Sequence, residues 1–175
     1  MGQTVCSHAG YGPIRVSQTT GSWVSHLPAA AVPATHWVTG TAAPCLSVRV
    51  PVWFDAVDAA GLPDRGPAPG GAHTRGSLWW DHEDVHRTIL RDYARLRRLI
   101  EADRQEVQAR IDEWAAAAVT GSSADRVECT RSAFAEVTDA YGRWRQIVGE
   151  AAPTRAGRSP YVRAWRGFDR AAGRA

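Results

Sequence analysis

Ile14-Arg15-Val16-Ser17-Gln18-Thr19-Thr20, then Gly21, then Ser22-Trp23-Val24-Ser25-His26-Leu27 is the stretch whose reading decides the fold. β-Branched, aromatic and hydroxyl side chains on both sides of a single glycine predict two strands joined at hairpin distance. Two further strand-like runs follow, Thr35 to Thr39 and Leu46 to Phe54, set apart by a Pro28 to Pro33 loop and a Gly40 to Pro44 loop. The expectation is an antiparallel meander of three or four strands. Trp23, Trp37 and Trp53 bring it a large apolar area that a second layer has to cover.

Working outward, residues 55–76 contain Pro63, Pro67, Pro69, Gly70 and Gly71 and read as a loop. Between Leu78 and Val119 there is no Gly or Pro, and Val85, Ile89, Tyr93, Leu96, Ile100, Val107, Ile111 and Trp114 recur at helical spacing. One gap, Glu101-Ala102-Asp103-Arg104, predicts a kink or a break at which Asp103 caps a new start. A second helix is predicted from Ser123 to Val148, with Val127, Phe134, Val137, Tyr141, Trp144 and Val148 along one face. The two helices are expected to pack together. Residues 151–175 read as an Arg-rich flexible tail with one short helix after Ser159-Pro160. The organisation is therefore a strand-rich part over 1–54, a Pro/Gly loop over 55–76, a helical part of the same domain over 77–150, and the tail. The class is α+β, with short antiparallel strands followed by long C-terminal helices.

At 175 residues the chain is of single-domain size. All 21 basic residues are Arg, and Lys and Asn are both missing, a pattern of GC-rich coding that makes arginine a poor sign of nucleic-acid binding. The net charge of +3 comes from arginines interleaved with 18 carboxylates, a mixed surface with little long-range field, so no polyanion partner is required. Cys6, Cys45 and Cys129 are widely spaced and form neither a disulfide framework nor a C-x-x-C knuckle, which fits a reducing cytoplasm. The first residues lack a basic segment followed by an apolar core, and no run reaches about 18 apolar residues, so neither export nor membrane insertion is expected.

Four groups of residues could carry chemistry. His82-Glu83-Asp84-Val85-His86 matches His-Glu-x-x-His, which on a helix sets two imidazoles on one face for zinc with the glutamate as general base. The third ligand best placed by spacing is Glu106, yet on an unbroken helix it lies about 30 Å from His86, so the structural reading of the motif takes precedence over a zinc peptidase and no metal is expected. Cys6 with His8 two residues on could serve as nucleophile and base, or Cys6 could be a small buried thiol. Arg15, Gln18 and Thr19, with Thr20 and Ser22, surround the glycine turn, where a few placed polar groups could line a pocket or could be ordinary strand residues. The tail arginines interleave with Tyr161, Trp165 and Phe168, which could grip phosphates and stack bases or could dock a short helix.

Several of these blocks, taken in order, carry a resemblance. Gln18-Thr19-Thr20-Gly21-Ser22, His36-Trp37-Val38-Thr39-Gly40-Thr41, Ala43-Pro44-Cys45-Leu46-Ser47, Ser77-Leu78-Trp79-Trp80 and His82-Glu83 resemble the secernin-like dipeptidases, N-terminal-nucleophile (Ntn) cysteine hydrolases. The resemblance spans roughly residues 5 to 148 and implies a partial Ntn-hydrolase αββα layer. It implies hydrolysis of dipeptide amide bonds by an N-terminal cysteine whose own α-amino group handles the proton, chemistry that needs no cofactor. It also implies a short peptide as substrate, with Arg15, Gln18 and Thr19 holding it. Family chains are more than twice as long, and their nucleophile is soon followed by a Gly-x-Asn-Ser-Asp-Arg type segment that a chain without Asn cannot contain. Val5-Cys6-Ser7-His8-Ala9-Gly10 corresponds to an internal block of the family, leaving Cys6 as the lesser candidate. The expectation is a C-terminal portion, inactive alone, whose partner is a complementing N-terminal half or another copy. A zinc peptidase built on His82 and His86 and a non-catalytic interaction module are the alternatives.

Overall fold

Among the described residues three short strands are followed by four α-helices, a mixed α+β arrangement. The computed structural model describes residues 17–29, 32–56, 64, 66–153 and 159–174. The strands are β1 (Ser22–His26), β2 (Thr35–Thr39) and β3 (Val50–Val52), and they form one antiparallel sheet in the order β1-β2-β3. Register runs from Ser22 opposite Thr39 to His26 opposite Thr35, and from His36 opposite Val52 to Val38 opposite Val50. Gly21 permits the close approach at the end of this pairing, since a Cβ there would stand 3.0 Å from the Thr39 carbonyl oxygen. The Ser22 N–H donates to Thr39 Oγ1 at 3.0 Å and closes the same corner.

Two strand expectations shorten. Of Ile14 to Thr20, residues 14–16 lie outside the described residues, and Ser17 to Thr20 is not a strand. The Thr19 carbonyl there accepts from the Ala43 N–H at 3.0 Å, so it serves a loop and not a ladder. Of Leu46 to Phe54, only Val50–Val52 pairs, because Pro44 starts a 3-10 turn over Pro44–Leu46 that uses up the first part of the run.

The helices are α1 (Leu78–Ile89), α2 (Tyr93–Ala118), α3 (Ser123–Ala151) and α4 (Pro160–Ala171). The predicted break at Glu101 to Arg104 does not occur, and α2 runs straight through it. Asp103 caps nothing; its carboxylate accepts from the Trp144 indole of α3 at 2.6 Å. The interruption falls instead at Leu90 to Asp92, with no Gly or Pro to announce it. Thr88 Oγ1 donates back to the Asp84 carbonyl at 2.7 Å, a contact that competes with the helical ladder, and the Arg91 and Asp92 N–H groups fall back to three-residue bonds.

α2 and α3 form an antiparallel hairpin. Its turn is fixed by a capping box, the Ser122 hydroxyl accepting from the Asp125 N–H while the Asp125 carboxylate accepts from the Ser122 N–H. Gly121 is required beside it, since a Cβ would come within 2.7 Å of that carboxylate. Leu96, Ile100, Val107 and Ile111 from α2 interleave with Ala133, Val137, Tyr141, Trp144 and Val148 from α3 to form the main core, and Val85 and Ile89 of α1 join it. The sheet is fastened to the hairpin by polar bonds as well. Thr130 Oγ1 donates to the Pro51 carbonyl at 2.8 Å, and the Gln108 amide accepts from the Arg49 N–H at 2.8 Å. Trp53, fully buried, donates its indole N–H to Thr35 Oγ1 at 2.9 Å.

Residues 151–175, read from sequence as a flexible tail, carry α4. Ser159 caps it by accepting from the Val162 N–H, with Pro160 at the first helical position. The helix is tied to α1 by ion pairs: Asp169 accepts from Arg87 at 3.0 Å and from Arg174 at 3.3 Å, and Arg174 also donates to Asp84 at 2.6 Å. Among the described residues no helix is long and apolar enough to cross a membrane.

Candidate functional site

A cavity of about 750 Å³ opens between the sheet, the loop over residues 66–69, the start of α1 and the middle of α3. Its walls include Trp23 of β1, Thr39 of β2, Thr41 and Ser47 of the connecting loop, Trp79 of α1 and Tyr141 of α3. Each arrives for a local reason. Strand alternation turns Trp23 to the face opposite Val24. The α3 heptad places Tyr141 one turn after Val137, and the 3-10 turn aims Ser47 inward. The wall is mostly apolar with a few hydroxyls at its base, the composition expected of a small-molecule pocket.

The base is tightly made. Ser47 Oγ and the Tyr141 hydroxyl are 2.5 Å apart and buried. Burial pushes the Tyr141 phenol up to about 12, against the opposing influence of the Ser47 and Thr41 hydroxyls, so it stays protonated. The loop that carries these hydroxyls contains Ala43 at φ 48°, a left-handed conformation rare for a residue with a Cβ. Holding it costs about 1 kcal/mol or more. The Ala43 N–H to Thr19 bond and the Leu46 N–H to Ala43 carbonyl bond at 2.9 Å keep it there.

Directly behind Tyr141 lies a row of buried side chains. The His82 ring sits 5.0 Å from Tyr141, and the His86 ring lies parallel to His82 at 6.4 Å. Both histidines are completely buried. Glu83 accepts from His86 Nδ1 at 2.9 Å and from Arg87 Nε at 2.6 Å. A carboxylate only accepts, so this contact assigns the His86 proton to Nδ1. Burial lowers His82 to about 3, the neighbouring His86 adds to the effect, and Glu83 and the Leu46 carbonyl only partly oppose it; the ring is neutral at physiological pH. Burial alone would raise Glu83, but the hydrogen bonds and charges of His86 and Arg87 outweigh it and hold the carboxyl at about 2.

The residues singled out in the sequence are distributed unevenly about these features. Cys6 and Arg15 lie outside the described residues. Gln18 and Thr19 are half-buried next to the cavity's glycine corner, but the wall begins at Gly21. The Gln18 side-chain oxygen is buried without a hydrogen-bond partner among the described residues. His82 and His86 do come together, with parallel rings and with Glu83 engaged by His86 and Arg87. Glu106 is exposed on α2, away from their buried position. Among the described residues no group of three or more His, Cys, Asp or Glu could hold a metal ion. Cys45 is exposed, and Cys129 is buried with its thiol pushed up to about 11 by desolvation.

Tyr141 and Ser47 are the site residues that the sequence did not announce. Tyr141 falls on the apolar stripe of α3 and counts there as core; its only signal was a polar tip on a buried position. No protein family, curated protein or solved structure matches this chain.

Proposed function

We propose that this chain is the peptide-holding part of a secernin-like cysteine dipeptidase of the Ntn class, with the attacking thiolate supplied by sequence outside it. The observation that carries the reading is the cavity of about 750 Å³ at the open side of the sheet, with Trp23 and Trp79 in its walls and Tyr141 and Ser47 at its base. Its volume lies within the range of small-molecule pockets, roughly 300–1,000 Å³, and leaves room for a dipeptide. The Tyr141 oxygen and the Thr39 and Thr41 hydroxyls offer polar partners to a peptide backbone, and the indoles offer apolar cover to one side chain.

A second feature supports a larger assembly. Trp23 is 59% exposed and Val24 is 49% exposed, and successive strand residues face opposite ways, so β1 is bare on both faces. No described strand pairs with its outer edge. In an Ntn αββα arrangement the bare surface would meet a further strand and the second sheet. Taken alone, the chain then binds short peptides without cutting them.

Titrating the purified chain with a panel of dipeptides while recording tryptophan fluorescence tests this. A saturable change, reduced at least tenfold in apparent affinity by Trp79→Ala, is expected. Dipeptides that leave the emission untouched at millimolar concentration remove the reading. Thiol-dependent dipeptide turnover that disappears in Cys6→Ala replaces it with a self-sufficient enzyme.

A further inference from the structure

On the side of α1 away from the sheet, a second and larger hollow of about 1050 Å³ runs between α1, the end of α3 and α4. Its lining contains seven arginines and three aspartates, an excess of four positive charges, which is larger than the +3 of the whole chain. The positive charge of this protein is therefore concentrated here, and the remainder of the surface is close to neutral.

The arginines play two roles. Arg174 and Arg145 are spent on the protein: Arg174 pairs with Asp84 and Asp169, and Arg145 with Asp81 at 3.3 Å. The Arg174 pairs fix the end of α4 against α1, the His73 N–H to Ala172 carbonyl bond at 2.7 Å fastens it to the loop before α1, and the Arg145 pair ties α3 to α1. Arg75, Arg91, Arg163, Arg166 and Arg170 line the same groove and make no ion pair with any described residue. Five guanidinium groups thus line one concavity without an ion-pair partner among the described residues. Such repulsion is tolerated on a surface, but the arrangement gains when an anion enters.

We propose that this groove binds an oligophosphate group, the linear tri- or diphosphate of a nucleotide or of inorganic polyphosphate. Guanidinium forks bind phosphate oxygens bidentately, and arginine is the side chain best matched to that geometry. Several guanidiniums on opposite walls favour a ligand with several adjacent anionic groups over a single carboxylate or orthophosphate. The site lies behind the buried row of His82 and His86, on the opposite side from the peptide cavity, and does not depend on the dipeptidase reading.

Isothermal titration of the whole chain with inorganic tripolyphosphate and with a nucleoside triphosphate tests it. Saturable binding at one site is expected for both, at least tenfold tighter than for orthophosphate, and weakening as salt rises because exposed charges are screened beyond about 8 Å at physiological ionic strength. The pair Arg163→Glu with Arg170→Glu should weaken it at least tenfold with an unchanged thermal melt. Arg75→Ser with Arg91→Ser, on the other wall, gives the same reading should the first variant fail to fold. Arg131→Glu, roughly 20 Å from Arg145 along α3 at about 1.5 Å per residue, should change it less than twofold. Absent binding, orthophosphate bound as tightly as tripolyphosphate, or an equal loss in Arg131→Glu would overturn the proposal. So would a single-stranded or duplex oligonucleotide that binds more tightly than tripolyphosphate, which would make the groove a nucleic-acid surface instead.

Discussion

The Trp144 indole of α3 donates its N–H to the Asp103 carboxylate of α2 at 2.6 Å, from a ring that is otherwise fully buried. Arg143 approaches the same carboxylate at 3.2 Å. This contact explains why the helix survives the polar run at Glu101 to Arg104: the residue that looked like a cap is a cross-hairpin acceptor. Asp103→Ala leaves the buried N–H without a partner and should cost about 1–3 kcal/mol in urea unfolding. Pairing it with Trp144→Phe in a double-mutant cycle should show that the two losses do not add.

Acid should unfold the protein in two overlapping stages. His82 has its folded value lowered to about 3 from 6.5, so the unfolded chain takes up the proton first. The stability tied to its neutral form is complete above pH 6.5 and drains as pH falls toward 3. Glu83, held at about 2 against 4.5, contributes stability that is complete above 4.5 and drains as pH falls toward 2. Each is worth on the order of several kcal/mol in total, at about 1.4 kcal/mol per pH unit. Circular dichroism of urea midpoints between pH 7 and 4 should show the decline, and His82→Phe should flatten its upper part.

Tyr141→Phe removes one partner of the buried hydroxyl pair and leaves Ser47 Oγ with only the Val48 carbonyl. A loss of about 1 kcal/mol in stability is expected. Because the phenol lies at the cavity base, the fluorescence response to dipeptides should weaken as well. Equal affinity in wild type and variant would place the peptide elsewhere.

The two described thiols should differ sharply in reactivity. Cys129 is buried with its thiol pushed up to about 11, and a thiolate is the reacting species. Cys45 is exposed. Brief treatment of the folded chain with iodoacetamide, mapped by mass spectrometry, should mark Cys45 and spare Cys129 until denaturant is added.

Asp169→Ala strips Arg87 and Arg174 of a shared acceptor and should free α4 from α1. Hydrogen exchange should accelerate over Pro160–Ala171 while the α2 and α3 amides keep their protection, since those helices hold the main core.

What could be read beforehand followed period and punctuation. The strand-like composition of Ser22 to Leu27 and of Thr35 to Thr39 announced β1 and β2, although the hairpin expected across Gly21 does not form among the described residues, and the apolar spacing from Val127 to Val148 announced α3, because burial imposes a period that survives in sequence. Three features escaped because side-chain hydrogen bonds and ion pairs, which leave no period in the sequence, decide them. The α1–α2 break depends on the Thr88 hydroxyl bond to the Asp84 carbonyl, the continuity at Asp103 depends on Trp144, and the placing of α4 depends on Arg87 meeting Asp169 and on Arg174 meeting Asp84 and Asp169. The site was legible in the same measure. His82, Glu83 and His86 stood out as a motif, but only packing shows them stacked and buried behind Tyr141. A net charge of +3 is correct and uninformative, because summation hides where the arginines gather.

β1 carries no Asp, Glu or Arg along Ser22–His26, and no described strand pairs with its outer edge. A strand edge without carboxylate or guanidinium side chains is a template for continued hydrogen bonding between molecules. Concentrated samples should therefore thicken into β-rich aggregates before the helical part melts. A single outward carboxylate such as Ser25→Glu should raise the attainable concentration while leaving the hairpin of α2 and α3 intact.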